Sequence, residues 1–320
     1  MRVSWLYPAQ VSNPAVLLPF ARTAQSLGVH RLWTGQSLRA ETHQIFSYLC
    51  GAGIRMPMGS AVTLFPLRHP IDAAAQARGV AMLSGHSYVA GYGPGSAGFQ
   101  AAALGEKLAK PASATVEFLT LARRFTAGEA VTHRGDLHRV DFQLEPLPHP
   151  PVHWAAGVLR PGMARRVAGC ADLAITWMTP PAYVRDHIIP ALTEGATAAA
   201  RPIPEVATVV HVYPDRYGKD VYEVAQKAAG VHLSMPHYTD MLRRAGVAAH
   251  ADDPRAGARA LVDSGTFVHG SPRQIADLLE EYRRCGVAEV VLNPMSSIAA
   301  HGLGTAIRDL SDITTSLAAN

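Results

Sequence analysis

The residues best suited to chemistry stand at the ends of short apolar runs. Glycine-rich segments close the run Ser87–Tyr92 and the run Val152–Ala156. Their small residues are Gly91, Gly93, Gly95, Ser96 and Gly157. Glycine lets backbone N–H groups approach an anion closely, so both segments are candidates to bind the phosphate of a ligand. Arg160 can add a charged hydrogen bond there, and an ordinary surface loop is the alternative interpretation.

Side chains that can move a proton occupy similar positions. His43 follows the second apolar run and Tyr92 ends the fourth, so these two are the first candidates for proton transfer. Further candidates are His211, Tyr213, His232 and His237. Trp33 and Trp177 are candidates to line an apolar slot. The chain contains 15 histidines, and a helix cap, a surface position or a packing role is the alternative for each candidate.

Eight apolar runs alternate with helical patterns and must position these residues. The runs are Val3–Tyr7, Arg31–Thr34, Met58–Thr63, Ser87–Tyr92, Val152–Ala156, Leu173–Met178, Val206–Val212 and Glu289–Leu292. Most of them lack strict polar–apolar alternation, which is typical of strands that are covered on both faces. The last helical pattern has clear boundaries, because Ser271 and Gln274 predict a capping box and Gly286 a stop.

Repeated strand–helix units predict an α/β fold, a closed (β/α)8 TIM barrel in which the carboxyl ends of the strands meet at one site. An open doubly wound sheet is the structural alternative, although no GxGxxG motif follows the first strand. We interpret residues 1–320 as a single domain with insertions after strands four and seven, at about 93–111 and 217–270. Both insertions are expected to form walls or lids over a pocket, with ordinary surface insertions as the alternative.

Composition and charge argue against several classes of function. A formal net charge of +4 without a basic stripe disfavours nucleic acid as a partner. No apolar run is long enough to cross a bilayer and the first residues do not resemble a signal peptide, so a cytoplasmic location is expected. The three cysteines are far apart, which predicts neither a disulfide framework nor a structural zinc site, and no metal is expected.

Several segments, taken in order, resemble the bacterial luciferase-like superfamily. The stretch Gly59–Gly93 contains a strand ending in Val62-Thr63, a helix start Arg68-His69-Pro70 and a Leu83-Ser84-Gly85 turn. The chain then has His86-Ser87 where the family usually has Gly-Arg. Further matching segments are Gly128–Gly135, Val152–Gly157, Ala171-Asp172 and Gly270–Val287. The resemblance therefore spans nearly the whole chain.

This resemblance implies a flavin or deazaflavin cofactor at the carboxyl ends of the strands. In similar proteins the third strand ends in a bulge with a non-proline cis peptide bond behind the cofactor ring. That bond falls here at Ala61-Val62, followed by Thr63, with plain core positions as the alternative. The resemblance also implies a cofactor phosphate near the strand-four loop and the turn Ala155-Ala156-Gly157.

The family uses FMN or coenzyme F420, a deazaflavin, and the residue pattern here favours coenzyme F420. Similar deazaflavin alcohol dehydrogenases have an acid–base residue after strand two and a glutamate in the strand-four loop. This chain has Gly35-Gln36-Ser37 and Pro94 at those places. Because no general base is evident, we expect a reductase that delivers hydride to a C=C or C=N bond.

Other functions stay open at this stage. An FMN-dependent monooxygenase is the main alternative, and a barrel that only binds a flavin-like ligand is the third hypothesis. The expected substrate is a small molecule or a modified peptide in specialised metabolism. The family resemblance also implies a homodimer.

Overall fold

Eight parallel strands form a closed barrel in the computed structural model, which describes residues 1–215 and 218–318. The strands are Arg2–Tyr7, Leu32–Thr34, Met58–Ser60, Tyr88–Gly93, Val152–Gly157, Leu173–Trp177, Glu205–Pro214 and Glu289–Asn293. The first strand pairs with the second and the eighth, and the seventh pairs with the sixth and the eighth, which closes the ring. The prediction of a (β/α)8 TIM barrel is confirmed.

Helices fill the connections between the strands. The α-helices are Leu18–Ser26, Thr42–Gly51, Pro70–Ser84, Ala97–Leu104, Pro111–Thr126, Pro161–Val167, Pro181–Tyr183, Ile189–Ala198, Val221–Leu233, Pro236–Arg244, Pro254–Asp263, Pro272–Arg284, Met295–His301 and Leu303–Ala318. Shorter turns are the 3-10 helices Pro14–Leu17 and Phe65–Leu67 and the π-helix Val184–Ile188. The predicted capping box is present, because the Ser271 amide donates to Gln274 Oε1 at 2.8 Å and the Gln274 amide donates to Ser271 Oγ at 3.3 Å.

The barrel strands are buried on both faces, which explains their continuous apolar character. The side chains that face into the barrel form one cluster: Leu6, Trp33, Ala61, Val89, Ala155, Leu173, Ile175, Ala207, Val209 and Val291. The alternate residues pack outwards against the helices. In strand four, Val89 faces inwards, whereas Tyr88, Ala90 and Tyr92 belong to the outer layer. Which face a residue occupies therefore decides whether it can reach the mouth of the barrel.

Both insertions follow the strands predicted for them. The first contains the helix Ala97–Leu104. The second contains three helices between 221 and 263 and the strand Val268–Gly270, which pairs with the end of strand seven. Its predicted first residue, Tyr217, lies outside the described residues. Across 1–215 and 218–318, no helix has both the length and the apolar character needed to span a membrane.

A two-stranded antiparallel hairpin stands apart from the barrel. It consists of Ala130–Arg134 and Arg139–Gln143. The first of these strands lies in Gly128–Gly135, one of the segments that resemble the luciferase-like superfamily in sequence.

Candidate active site

The third strand is interrupted at its carboxyl end. The bond between Ala61 and Val62 is a non-proline cis peptide, at the position that the family resemblance implied. The Ala61 amide donates to Thr34 O at 2.9 Å, and the Gln36 amide donates to Val62 O at 3.1 Å. Strand two therefore fixes the backbone of the interruption on one side.

Strand four fixes the same interruption on its other side. The Gly91 amide donates to Ser60 Oγ at 2.9 Å, and the hydroxyls of Ser60 and Thr63 donate to Gly91 O at 3.0 and 3.1 Å. A Cβ at Gly91 would lie 2.0 Å from Ser60 O, so a side chain cannot fit there. Because its amide is already engaged, Gly91 acts in holding strands three and four together rather than in offering an N–H to phosphate. The Thr63 side chain has the same role.

Two other glycines keep space free beside Val62. A Cβ at Gly93 would lie 3.0 Å from Val62 Cγ2, and one at Gly157 would lie 3.5 Å from the same atom. Ala155 belongs to the inner cluster, whereas Ala156 packs in the outer layer. The ends of strands three, four and five thus form a surface in which Val62 is flanked by uncovered backbone.

The strand-four loop is ordered by its own side chains. Ser96 caps the helix Ala97–Leu104, and its Oγ accepts a hydrogen bond from the Phe99 amide at 3.1 Å. Gln100 Nε2 donates to Pro94 O and Gly95 O at 3.0 and 3.2 Å. Gly95 has a φ of 73°, which favours glycine. The Ser96 hydroxyl already serves as the cap, so what this loop can offer a phosphate is backbone.

Arg160 belongs to a cationic group at the rim of the barrel, which we call the arginine rim. Its Nε lies 2.9 Å from Asp240 Oδ2, in the second insertion. Arg244 approaches the same carboxylate at 3.0 Å and Arg243 at 3.9 Å. Three arginines share one carboxylate, which leaves two positive charges in excess. Arg160 precedes the helix Pro161–Val167, so the excess charge lies next to the loop after strand five.

His43 lies in a group that we call the back cluster, with Glu41 and Arg68. His43 Nδ1 is 2.9 Å from Glu41 Oε1, and Arg68 Nη2 donates to the same oxygen at 2.5 Å. Burial alone would raise the pKa of Glu41, but the hydrogen bonds from His43 and Arg68 lower that pKa to about 2. The His43 ring contacts Tyr88 of the outer layer, at 5.8 Å between ring centroids. The His43 ring therefore packs against the outer layer, whereas Arg68 also donates to Gln36 Oε1 at 3.2 Å, after strand two. A catalytic role for His43 stays a prediction.

Tyr92 is fully buried in the outer layer. Its ring centroid lies 5.0 Å from that of Phe118 and 5.8 Å from that of Trp154. Burial raises the pKa of its hydroxyl. These contacts separate Tyr92 from the mouth of the barrel and indicate a packing role, the alternative considered from the sequence. Trp33 is likewise away from the mouth, because its Nε1 donates to Glu289 Oε1 at 2.7 Å at the start of strand eight.

A second group of polar residues lies near the carboxyl ends of strands six to eight, and we call it the mouth cluster. Its members are Trp177, His211 and Asn293 on these strands and His232 on the helix Val221–Leu233. The Trp177 ring is 6.4 Å from the His211 ring and 5.1 Å from the His232 ring, centroid to centroid. Asn293 Nδ2 lies 3.4 Å from His211 Nε2. His211 and His232 were candidates in the sequence, whereas Asn293 was missed. The available signal was a polar residue directly after the apolar run Glu289–Leu292.

Burial keeps both imidazoles of the mouth cluster neutral at pH 7. Desolvation, together with the nearby His232, lowers the pKa of His211 to about 3. Desolvation, together with the nearby His237, lowers the pKa of His232 to about 4. His237 itself contacts Tyr238, at 4.5 Å between ring centroids. The mouth therefore offers neutral hydrogen-bonding groups, with the positive charge confined to the arginine rim.

A known protein family matches this chain over most of its length. The family model described as luciferase-like monooxygenase matches residues 1–289. The chain belongs to this family. The luciferase-like assignment agrees with the barrel and with the cis peptide bond that ends its third strand.

Solved structures share this luciferase-like fold over their full length. An F420-dependent secondary alcohol dehydrogenase in complex with an F420-acetone adduct is 16% identical, with a TM-score of 0.78 over 99% of this chain and 98% of the other. The coenzyme F420 dependent tetrahydromethanopterin reductase from Methanopyrus kandleri is 18% identical, with a TM-score of 0.77 over 100% and 99%.

FMN proteins are also among the similar structures. The oxygenating constituent of 3,6-diketocamphane monooxygenase from Pseudomonas putida, in complex with FMN, is 13% identical, with a TM-score of 0.73 over 100% of this chain and 98% of the other. At such identities the likeness establishes the fold alone. The matching luciferase-like family is one of oxidoreductases, and the similar structures include F420-dependent enzymes and one in complex with FMN.

Proposed function

We propose that this chain is a reductase that uses reduced coenzyme F420 to deliver hydride to a C=C or C=N bond. The observation that carries the choice of cofactor is the arginine rim, with Arg160, Arg243 and Arg244 around the single carboxylate of Asp240. Coenzyme F420 carries a phosphate and an anionic glutamate tail, whereas FMN carries one phosphate. Two excess positive charges beside the strand-five loop suit the longer anionic ligand.

The residues at the mouth fit a flat tricyclic ring. The Ala61-Val62 bond gives a backbone surface behind the ring, and Gly93 and Gly157 leave space on either side of Val62. The uncovered backbone at these glycines and at the start of the helix Pro161–Val167 would hold the phosphate. When bound, the reduced deazaflavin supplies a hydride.

The properties of the mouth favour reduction over alcohol oxidation. Oxidation of an alcohol needs a base that takes the hydroxyl proton. His211, with a pKa of about 3, and His232, with a pKa of about 4, are weak bases at pH 7. Gln36, which follows strand two, is occupied instead by the Leu64 amide, which donates to its Oε1 at 3.0 Å. Delivery of hydride to an unsaturated bond needs orientation and hydrogen-bond donors, which neutral side chains can provide.

Parallel fluorescence titrations of the purified protein with coenzyme F420 and with FMN test the cofactor. We expect micromolar binding of coenzyme F420 and much weaker binding of FMN. The reverse order would contradict the proposal and support the FMN-dependent monooxygenase, as would rapid turnover with reduced FMN and oxygen. Binding of coenzyme F420 without reduction of any electrophilic alkene or imine would support a barrel that only binds the cofactor.

The arginine rim supplies a matched pair of variants for this titration. Arg160→Ala removes a charge from the rim, while Arg165→Ala removes an arginine from the helix that follows Arg160, where it pairs with Glu194 at 2.7 Å. Both side chains are 46% exposed, so the two substitutions perturb the helix surface to a similar degree. Only Arg160→Ala is expected to weaken binding of coenzyme F420.

A further inference from the structure

The hydrogen-bond partners of Asn293 fix the tautomer of His211. Asn293 Oδ1 accepts a hydrogen bond from the Met295 amide at 3.0 Å, so the group that faces His211 Nε2 is Asn293 Nδ2. Because Nδ2 can only donate, Nε2 of His211 must accept. The neutral imidazole therefore carries its hydrogen on Nδ1.

Nδ1 of His211 is then a buried donor without an acceptor among residues 1–215 and 218–318. The His211 side chain is 1% exposed. The indole Nε1–H of Trp177 is a second such donor, also buried and also without an acceptor in the described part of the chain. Buried polar groups in native proteins are almost always paired, so two neighbouring N–H groups without acceptors indicate a ligand atom with lone pairs.

These two donors lie where a substrate would meet the proposed cofactor. His211, three residues before the end of strand seven, pairs with Asn293 at the end of strand eight. Trp177 ends strand six and packs against the inner cluster, as Val62 does. Val62 belongs to the surface proposed to lie behind the cofactor ring. Trp177, on strand six, therefore lies beside the segment after strand five that is proposed to hold the phosphate, and His211 lies one strand further round the barrel.

We propose that Trp177 Nε1–H and His211 Nδ1–H together bind the carbonyl oxygen of a substrate whose C=C bond is conjugated to that carbonyl. This assignment rests on the proposed reductase function and narrows its substrate class to α,β-unsaturated carbonyl compounds, including amides. A single oxygen atom accepts two hydrogen bonds readily, and both donors in the mouth are neutral.

The donor pair acts on the charge that forms during reduction. When bound, the reduced cofactor would supply a hydride to the carbon β to the carbonyl, and the electron pair of the C=C bond would move so that negative charge collects on the carbonyl oxygen. Two fixed N–H groups would stabilise that enolate oxygen more than the neutral carbonyl. A proton from water would then add to the α carbon, and the hydroxide left behind would be neutralised by the proton that the cofactor loses together with its hydride.

Because both donors are neutral, the site is also expected to disfavour substrates that carry a carboxylate. The pKa values of His211 and His232 keep both rings uncharged at pH 7, so a substrate carboxylate would enter a buried site without a positive partner. We therefore expect ketones, esters and amides as substrates, and free unsaturated acids to be excluded.

Substitutions that remove one N–H and keep a ring test the assignment. The variants are Trp177→Phe and His211→Phe, and the control is Trp154→Phe. Trp154 Nε1 is also buried and has no partner among the described residues, but Trp154 lies in the outer layer. His211→Leu, which also lacks an N–H donor, is a second variant at the same site in case His211→Phe does not fold, with near-ultraviolet circular dichroism as the check of folding.

Two readouts separate the substrate site from the cofactor site. The first is binding of 2-cyclohexen-1-one to the protein without cofactor, with cyclohexene as the matched ligand that lacks the oxygen. The second is binding of coenzyme F420 and the rate of enone reduction. We expect wild type to bind the enone at least 10-fold more tightly than cyclohexene. Trp177→Phe and His211→Phe should each lower kcat for enone reduction about 100-fold and leave the Kd for coenzyme F420 within twofold.

The outcomes that would overturn the assignment are distinct from failure of the proposed function. Equal binding of the enone and cyclohexene to wild type would show that no oxygen site exists. Loss of coenzyme F420 binding in the two mouth variants, with enone binding unchanged, would assign the donors to the cofactor. If wild type binds no coenzyme F420, the proposed function fails, while the ligand comparison on the protein without cofactor still decides the oxygen site.

Discussion

The back cluster and the mouth cluster use the same side chain in opposite ways. In the back cluster, His43 Nδ1 lies 2.9 Å from the carboxylate of Glu41, and Arg68 pairs with the same carboxylate, while Nε2 of His43 is buried without a partner in the described residues. In the mouth cluster, His211 accepts from the amide of Asn293 and is left with a neutral ring and a donor that has no acceptor in the described chain. Both imidazoles are buried, so the difference lies in the partner of the ring, a carboxylate for His43 and a neutral amide for His211.

The largest effect is expected from breaking the back cluster at its only carboxylate. Glu41→Gln should lower the free energy of unfolding by about 3 kcal/mol, because Arg68, which is 6% exposed, loses its charged partner and the helix Thr42–Gly51 loses part of its cap. Urea denaturation at pH 7 measures the change. Glu194→Gln, in an exposed pair with Arg165, is the control and should change stability by less than about 0.5 kcal/mol. Similar losses in both variants would show that the back cluster contributes no more than a surface pair.

The two clusters should also respond to different ranges of pH. His211 has its pKa lowered to about 3, so the unfolded chain binds a proton below about 6.5 that the folded chain does not. The contribution of His211 to the free energy of unfolding is therefore fully present above pH 6.5. It is lost as the pH falls, by about 2 kcal/mol at pH 5. Glu41, with its pKa lowered to about 2, contributes stability above about pH 4.5 that is lost between pH 4.5 and 2.

Unfolding by urea at pH 7, 5 and 4 in wild type, His211→Phe and Glu41→Gln measures these ranges. His211→Phe should lose less stability than wild type between pH 7 and 5, whereas Glu41→Gln should follow wild type there. Parallel curves for wild type and His211→Phe would contradict the neutral, buried state of the imidazole.

A smaller effect is expected at the rim that adjoins the mouth. Arg160→Ala should weaken binding of coenzyme F420 about 10-fold, equivalent to about 1.4 kcal/mol, because one charged hydrogen bond to the anionic ligand is lost. The loss should shrink at high salt, since the rim is exposed. Fluorescence titration at two salt concentrations measures it. An equal loss of affinity for coenzyme F420 in Arg165→Ala would show that the arginine rim is not the cause.

The smallest effect is expected from substitution of Tyr92, which belongs to neither cluster. Its hydroxyl is buried without a partner in the described residues, so Tyr92→Phe should change the free energy of unfolding by about 0.5 kcal/mol or less, in the stabilising direction if at all. The rate of hydride transfer should stay within twofold of wild type. A large fall in that rate with unchanged stability would restore Tyr92 as a proton donor.

Local patterns in the sequence were sufficient for most of the fold. The eight apolar runs correspond to the eight strands, because burial on both faces requires continuous apolar sequence. The capping box at Ser271 was predicted because its two partners are three residues apart. The cis bond at Ala61-Val62 followed from family resemblance, since the residue types alone do not specify it.

The site was harder to predict because its contacts are distant in sequence. The pairing of Arg160 with Asp240 joins a barrel loop to the second insertion, and no local pattern connects them. The inward or outward direction of Tyr92 depends on the register of strand four, which a run without alternation leaves undefined. The pairing of His211 with Asn293 joins neighbouring strands, and it could be inferred only once the barrel order was known.

Strand seven has ten residues. Its last three residues, Val212, Tyr213 and Pro214, pair with Val268–Gly270. The second insertion therefore leaves the barrel and returns to it on adjacent strands, about 4.8 Å apart. An insertion whose two ends lie side by side in this way can be lengthened, shortened or exchanged for the insertion of a relative without displacing strand eight. Because the insertion carries Asp240, Arg243 and Arg244 of the arginine rim, such an exchange would change the rim charge while the Ala61-Val62 surface of the barrel stays fixed.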